Sequence, residues 1–483
     1  MNMTQLKINI ALCFVLFMAA CAGESGTQSG EQPKQPQSEL KDLTTFAMGD
    51  ETTRTTGEYT TGGVDFYWTE NDRIWVNKNT NPLGTPDLVQ DVSNNVNTLL
   101  EPNPNTSDGV NRAPAAKFYF NGNFTAPKYI VRYTGKNGKK DKVTFSTTQT
   151  QPVPNDASHL GESGDCGIAE AKRVGGRYNF TLEHKAAYLT LMPYTTMNFA
   201  SSVKLTGISI QTFGQAVAGE FNFNDSGIDL ASRPTAGGGN NIITLSLNKF
   251  TIPTSPSVAT NGAIIVFAPG TYNRFDIIYT LYDETTHKSG VIRKKYTNIT
   301  WKAGENRKVA TDLKVPEYQP QPSGTWLNRP ANVVNCVQAY YYIRDGQPYG
   351  DVQSAYTIRS NASTPAHIYT GGVWIRKANT IPGFNATNYH GITLPIYPPL
   401  DFGKTLHFMV GGIMQLRPDF NRYYFMPATG DTNLRYWMKD PHGEYGGKNT
   451  SYCFAIDFVI PGTSTIGIGS NYETVVMPYW IVQ

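Results

Sequence analysis

The residues best suited to covalent chemistry sit near the front of the chain. In "FVLFMAACAGESG" an apolar run stops at Cys21. Lys7 lies ahead of it and, Asn9 apart, residues 8–20 are apolar. That length suits a signal-peptide core and falls short of the ~20 residues a bilayer span needs. With Ala19 and Ala20 before it, Cys21 fits the pattern read by the bacterial lipoprotein pathway, in which the thiol takes a diacylglycerol. Several acyl chains together anchor a protein stably. The competing expectation is an ordinary signal peptide cut after "AACA" or "ACAG". Residues 22–39 are mostly Gly, Ser, Gln, Glu and Pro, a tether unable to bury enough surface to fold. A strand-like patch, "LKDLTTFAM" (40–48), follows, and then Arg54 in the polar run "GDETTRTT". Arg54 is the exposed basic residue just after that patch, and a polar loop is where proteases cut. The alternative is that Arg54 is a surface residue of a permanently anchored lipoprotein.

Other reactive groups are weaker. "DPHGEY" sets Asp440, His442 and Glu444 at alternate positions, which an extended strand would point one way, as a metal or acid–base site requires. Pro441 and Gly443 argue instead for a turn with solvated side chains. "AGGGNN" lacks the Lys-Ser/Thr of a phosphate loop, and His184 follows an apolar strand as a packing residue would. With no Gly-x-Ser-x-Gly, no His-Glu-x-x-His and no C-x-x-C, the sequence predicts a non-enzyme without metal or cofactor. Past Cys21 the cysteines are Cys166, Cys336 and Cys453. In an oxidising compartment Cys336 and Cys453, both in the C-terminal part, are candidates for a disulfide, leaving Cys166 as a small core residue. The net charge of +3 implies no attraction to nucleic acid. Lys136, Lys139, Lys140 and Lys142 surround Asn137-Gly138 and read as a hairpin tip.

The elements that must position these residues are strands. Alternation dominates in "AKFYF", "KYIVRY", "YNFTLEH", "AYLTLMPY", "NIITLSL", "AIIVFAP" and "RFDIIYTLYD", with turn clusters at β-sandwich spacing. Pro316, Pro320 and Pro322 then predict a stiff linker, after which aromatics, Gly and long loops increase. No later run is long and apolar enough for a membrane helix.

"TTRTTGEYTTGGVDFYWTENDRIWV" resembles the fimbrillin family of Bacteroidetes, the subunits of type V pili, through Thr53-Arg54-Thr55, Trp68 and Asn71-Asp72-Arg73-Ile74-Trp75-Val76. "GDCGIAEAKRVGGRYNFTLEHKAAYLTL" is similar to the same family through its leading aspartate and Phe180, Leu182, His184, Ala187 and Leu189. With the lipid-anchor pattern, the resemblance covers about residues 18–315. It implies an all-β fold of two tandem transthyretin-like β-sandwiches. It also implies export as a lipoprotein to the outer membrane, trimming after an arginine, and loss of the first strand. Strand addition from other fimbrial subunits then fills the groove. The expected division is 1–20 signal peptide, 21–54 tether and removable first strand, 55–178 and 179–316 the sandwiches, 317–330 linker, and 331–483 a C-terminal domain.

That last domain departs from a stalk subunit, which should end soon after its second sandwich. An extension suits a fibre-tip adhesin, and "YYFMPATG", "LRYWMKDPHGEYGG" and "VVMPYWIVQ" have a likeness to C-type-lectin-like domains, an α+β fold. Neither Glu-Pro-Asn nor Trp-Asn-Asp occurs there, which leaves calcium-dependent sugar binding unsupported. Trp374, Tyr423, Tyr424, Trp437 and Tyr445 are candidates for contact with a surface glycan or protein, because aromatics give large contact area at small entropic cost. The competing function is an anchored surface lipoprotein that binds without polymerising.

Overall fold

The computed structural model describes residues 43–48, 56–60, 63–103, 110–136, 138–393, 401–405, 407–408, 420–428, 433–457 and 465–481. It is mostly β-structure, joined by turns and short helical segments. Among the described residues no helix is long and apolar enough to cross a membrane.

The first sheet has nine strands. In spatial order they are Leu88–Gln90, Trp75–Asn77, Lys128–Tyr133, Gly167–Val174, Arg177–Phe180, Thr44–Met48, Lys117–Phe120 and Ser93–Asn94, with Glu183–His184 pairing on Gly167–Val174. Period-two alternation decides which side chains enter its core. In Lys117–Phe120, Phe118 and Phe120 are buried while Lys117 is exposed. Phe46, Trp68, Val76, Phe118, Val131 and Tyr178, drawn from across the sheet, share one cluster.

The second core lies between a five-stranded and a three-stranded sheet. Thr148–Gln151, Ile242–Thr251, Val203–Thr212, Gly270–Asp283 and Lys288–Trp301 form the larger; Ala263–Phe267, Ala187–Tyr194 and Asn306–Asp312 form the smaller. The unbroken apolar run of Ala263–Phe267 is buried at every position, as a strand covered on both faces must be. The two cores do not divide the chain at one point near residue 178. Hairpin Thr56–Thr60/Gly63–Tyr67 sends Phe66 into the second core, Thr148–Gln151 pairs with Ile242–Thr251, and only then does Gly167–Val174 return to the first sheet. An ion pair pins this crossover. Buried Arg132 meets Asp225 at 2.6 Å and donates to the Phe223 carbonyl at 3.1 Å, while Asn77 donates to the second Asp225 oxygen at 2.7 Å.

The C-terminal part holds two four-stranded sheets. One is His407–Phe408, Tyr349–Asp351, Gly372–Arg376 and Tyr423–Pro427; the other is Asp401–Thr405, Thr465–Tyr472, Lys448–Asp457 and Asn433–Tyr445. Helix Cys336–Tyr340, started by an Asn335/Gln338 capping box and extended by a wide turn at Tyr341–Asp345, packs against them. The Pro-rich segment is laid into this assembly: Glu317–Tyr318 pairs with Thr357–Ile358, and Ser323–Gly324 pairs with Met477–Pro478. Two-residue pairings suit a proline-rich chain, which lacks the donors for a longer ladder. The junction with the second sandwich is polar and tight. Buried Asp283 accepts from the Ile368 N–H at 3.0 Å and contacts His367 Nδ1 at 2.9 Å, and Ala366 donates to the Asn198 carbonyl at 2.6 Å. Together with Ser202 and the Thr285 N–H, these hydrogen bonds hold the Asp283 carboxyl below its ordinary pKa against the opposing effect of burial.

Candidate functional site

The front strand, Thr44–Met48, lies in the interior of the first sheet although it opens the described chain. It runs parallel to Arg177–Phe180 and antiparallel to Lys117–Phe120, with Phe46 opposite Tyr178 on one side and Phe118 on the other. The Met48 N–H donates to the Ala116 carbonyl at 3.0 Å, and Thr44 Oγ1 to the Gly122 carbonyl at 3.1 Å. Lifting this strand out would leave two facing backbone edges unpaired, a strong template for another strand.

Its side chains act as a plug. Phe46 is fully buried, stacked on Tyr178 at 4.7 Å and edge-on to Phe120 and Phe124 at 5.0 and 5.2 Å. Tyr178 is fixed from behind, its hydroxyl hydrogen-bonded to the Phe124 and Ala126 carbonyls at 3.0 and 2.6 Å. Burial pushes that phenol's pKa up. Met48, two positions on, enters the same core. Burying a Phe side chain contributes about 1.5–3 kcal/mol, and each aromatic pair about 0.5–1.5 kcal/mol more. The seat is thus filled by an extended segment with large apolar residues at positions i and i+2, Phe46 and Met48.

Cys21 and Arg54 lie outside the described residues. In the sequence, Arg54 falls between the front strand and hairpin Thr56–Thr60/Gly63–Tyr67, which belongs to the second core. Phe66 of that hairpin stacks on His184 at 3.8 Å, and His184 Nδ1 lies 2.8 Å from buried Asp165, which also accepts from the Tyr188 hydroxyl. His184 is therefore a packing residue in a buried polar cluster. Several described residues that carried the resemblance are structural too. Trp68, Ile74 and Val76 are fully buried, and Asp72 accepts from the Thr69 N–H at 2.7 Å and the Tyr133 hydroxyl at 2.8 Å to close the turn on Asn71, whose φ is 65°.

Of the five aromatics expected to contact a ligand, Tyr445 alone projects, 71% exposed beside the double-glycine turn Gly446-Gly447. Trp437 is fully buried and its indole N–H bridges the Gly324 and Val475 carbonyls at 3.1 and 3.2 Å, so it is a core residue. Tyr423 is buried against Tyr349 at 5.7 Å. Half-buried Tyr424 accepts from the Trp480 indole at 2.9 Å, and half-buried Trp374 packs on Phe425 at 5.0 Å. For Trp437, sequence spacing missed this because its strand is covered on both faces, with Tyr436 and Met438 in one core and Trp437 in a smaller second one.

The same alternation corrects the expected Cys336–Cys453 bridge. Tyr452, Phe454 and Ile456 share a core with Cys336, so Cys453 points to the opposite face, toward Trp437 and Tyr479. Both are buried thiols, and Cys166 is a third, in the second core. Burial, reinforced by Asp440, pushes the Cys336 thiol's pKa up. Asp440, His442 and Glu444 do not converge. Asp440 accepts from the Cys336 N–H at 2.6 Å, His442 contacts Thr450 at 3.0 Å, and Glu444 is exposed, with register shifts at Pro441 and Gly443 breaking the alternation.

No known family model matches the chain, and no curated protein matches it in sequence. Among solved structures, a candidate cell adhesion protein from Bacteroides ovatus aligns at 11% identity and a TM-score of 0.30, covering 56% of this chain and 91% of its own. A fimbrial protein from Bacteroides ovatus aligns at 9% and 0.24, covering 91% and 99%. One from Bacteroides vulgatus aligns at 8% and 0.22, covering 56% and 95%. Likeness at this level assigns no function.

Proposed function

We propose that this chain is a fimbrial subunit of the fibre tip, a binding protein and not a catalyst. In this reading it is exported on a Cys21 lipid, trimmed after Arg54, and completed when a neighbouring subunit's strand replaces Thr44–Met48. The supporting observation is the front strand's interior seat, held by Phe46 between two strands of opposite sense. Cutting after Arg54 would separate that strand from a hairpin already anchored in the second core, so the rest of the fold would keep its hold. An incoming strand with a large apolar residue every second position fits the vacated slot.

Residues 477–480 are built into the C-terminal part itself. The Val334 N–H donates to the Trp480 carbonyl at 2.8 Å, the Trp480 N–H donates to the Trp437 carbonyl at 3.0 Å, and the Trp480 side chain is 1% exposed. Residues so engaged are not available to a neighbour. The C-terminal part then serves adhesion, with Tyr445 at its projecting hairpin.

The test is to trim the purified chain with a trypsin-like protease and add a labelled peptide of residues 40–48. Trimmed protein should exchange its front strand for the peptide, and untrimmed protein should not. A trimmed product that remains a monomer and ignores the peptide after mild denaturation would reject strand addition. It would instead favour the second reading, an anchored lipoprotein that binds a glycan or protein without polymerising.

A further inference from the structure

Three Asn-Gly pairs occur in the chain: Asn121-Gly122, Asn137-Gly138 and Asn261-Gly262. In such a pair the glycine nitrogen can attack the asparagine side chain, because glycine has no β-carbon to hinder the approach. The fold treats the three differently. Asn261 is fully buried, its side-chain amide donates to the Pro193 carbonyl at 2.6 Å, and the Gly262 N–H donates to the Val258 carbonyl at 2.7 Å. The Gly138 N–H donates to the Gly135 carbonyl at 3.2 Å, and Asn137 lies outside the described residues. Asn121 and Gly122 are both exposed, in the turn that follows strand Lys117–Phe120. Among the described residues, neither the Asn121 side chain nor the Gly122 N–H has a hydrogen-bond partner.

Gly122 has a φ of 90°, which accounts for a glycine here, and asparagine suits such turns. The surroundings go further than a turn requires. The Lys78 ammonium, seated over the Phe124 ring at 5.2 Å, lies 3.4 Å from where a β-carbon on Gly122 would stand. A cation so close favours loss of the Gly122 amide proton. On its other side the turn holds the entry of the front strand. The Gly122 carbonyl accepts from Thr44 Oγ1 at 3.1 Å, and Phe120, two residues back, pairs with Thr44.

We infer that Asn121-Gly122 is a self-modifying turn whose isoaspartyl product loosens the front strand. Once its proton has gone to hydroxide, the Gly122 nitrogen bonds to the Asn121 side-chain carbonyl carbon, and the side-chain nitrogen leaves as ammonia. The resulting succinimide takes up water at either carbonyl. One opening leaves aspartate at position 121. The other routes the main chain through the side chain, giving isoaspartate and one extra methylene between Phe120 and Gly122. Water and hydroxide are the only reagents. The lengthened main chain draws the Gly122 carbonyl away from Thr44. The inference goes beyond the proposed function and does not depend on strand addition.

The test incubates the full, untrimmed mature chain at neutral and at mildly alkaline pH. Peptide mapping by mass spectrometry, with isoaspartyl methyltransferase labelling, then locates the product. The Asn121 peptide should take up label, faster at the higher pH, while the Asn261 peptide stays unlabelled. In urea the two should react alike. Asn121→Gln should remove the label, and Lys78→Met should slow its appearance by about threefold, the scale of an exposed charge interaction. In modified protein, hydrogen exchange of the Thr44–Phe46 amides should quicken by about fivefold, the scale of one lost hydrogen bond. An Asn121 peptide that stays intact in the folded chain but reacts in urea would overturn the inference. So would equal labelling of Asn261 in the folded chain, or front-strand exchange indifferent to the modification.

Discussion

Thr44–Met48 at the front and Met477–Pro478 with Trp480 at the back both complete a fold begun elsewhere in the chain, yet they are held differently. The front strand enters alone, between two partners of opposite sense, and its grip is concentrated in Phe46 and Met48. The back segment is stitched on several sides. It pairs with Ser323–Gly324 and hydrogen-bonds Val334 and Trp437, while Trp480 packs on Phe454 at 4.3 Å and Tyr342 at 5.2 Å. Under the proposed strand addition, the strand gripped by two side chains and two backbone ladders is the replaceable one, and the segment whose contacts reach two cores is not.

Paired substitutions break that comparison most forcefully. Phe46→Ala and Trp480→Ala each empty a fully packed position and should each cost about 3–5 kcal/mol. The outcomes diverge once the chain is trimmed. Denaturant unfolding of trimmed Phe46→Ala protein with the wild-type peptide of residues 40–48 should match trimmed wild type, because the altered strand has left. No added peptide should restore Trp480→Ala. If the peptide fails to rescue Phe46→Ala, the front strand is a permanent part of the sheet.

How much of this was readable from residues alone differs between the ends. The apolar spacing in "LTTFAM" marks a short strand with Phe46 and Met48 on one face. Its interior seat was not readable, because register with Phe118 and Tyr178 depends on partners far along the chain. Alternation in "SYCFAI" already places Cys453 opposite Tyr452 and Phe454. What it could not say is that both faces are covered, one by helix Cys336–Tyr340 and one by Trp326, Trp437 and Tyr479. That missing fact turned Trp437 into a surface candidate, whereas the Cys336–Cys453 expectation came from their shared C-terminal location alone. The Pro-rich segment read as a linker because proline forbids long ladders; two-residue pairings need none.

A smaller effect sharpens the comparison by testing whether the first two cores hold together independently of either end. Arg132 is 2% exposed as a side chain and Asp225 is 35% exposed, so removing the arginine strands a carboxylate that water can partly reach. Arg132→Met should therefore cost about 2–3 kcal/mol, below the ~3–5 kcal/mol of a fully buried broken pair. Hydrogen exchange should localise the loosening to Lys128–Tyr133 and the Asn224–Ser226 turn, leaving the Trp480 region unchanged. Loosening that spreads to Trp480 would show that the two ends are coupled through the middle sandwich.

The smallest effect isolates that middle sandwich by pH. His159 precedes helix Leu160–Ser163, and its Nε2 lies 3.1 Å from the Ile264 carbonyl on the buried strand Ala263–Phe267. Burial pushes its pKa down to about 4, the carbonyl contact opposing only in part. The folded-state pKa is thus below the ordinary value of about 6.5, so the unfolded chain binds the proton more readily between the two. The stability associated with neutral His159 is complete above about pH 6.5 and is lost as pH falls toward 4. Because His159 as a residue is only half-buried, the loss should be about 1–2 kcal/mol, less than the full shift would give. Urea midpoints measured from pH 7.5 to pH 4.5 should fall in the wild type and stay flatter in His159→Gln. Neither end strand touches this histidine, so uptake of the residue 40–48 peptide should not follow the same curve. A peptide-exchange profile tracking the His159 titration would mean that the slot opens through the second core rather than along its own edges.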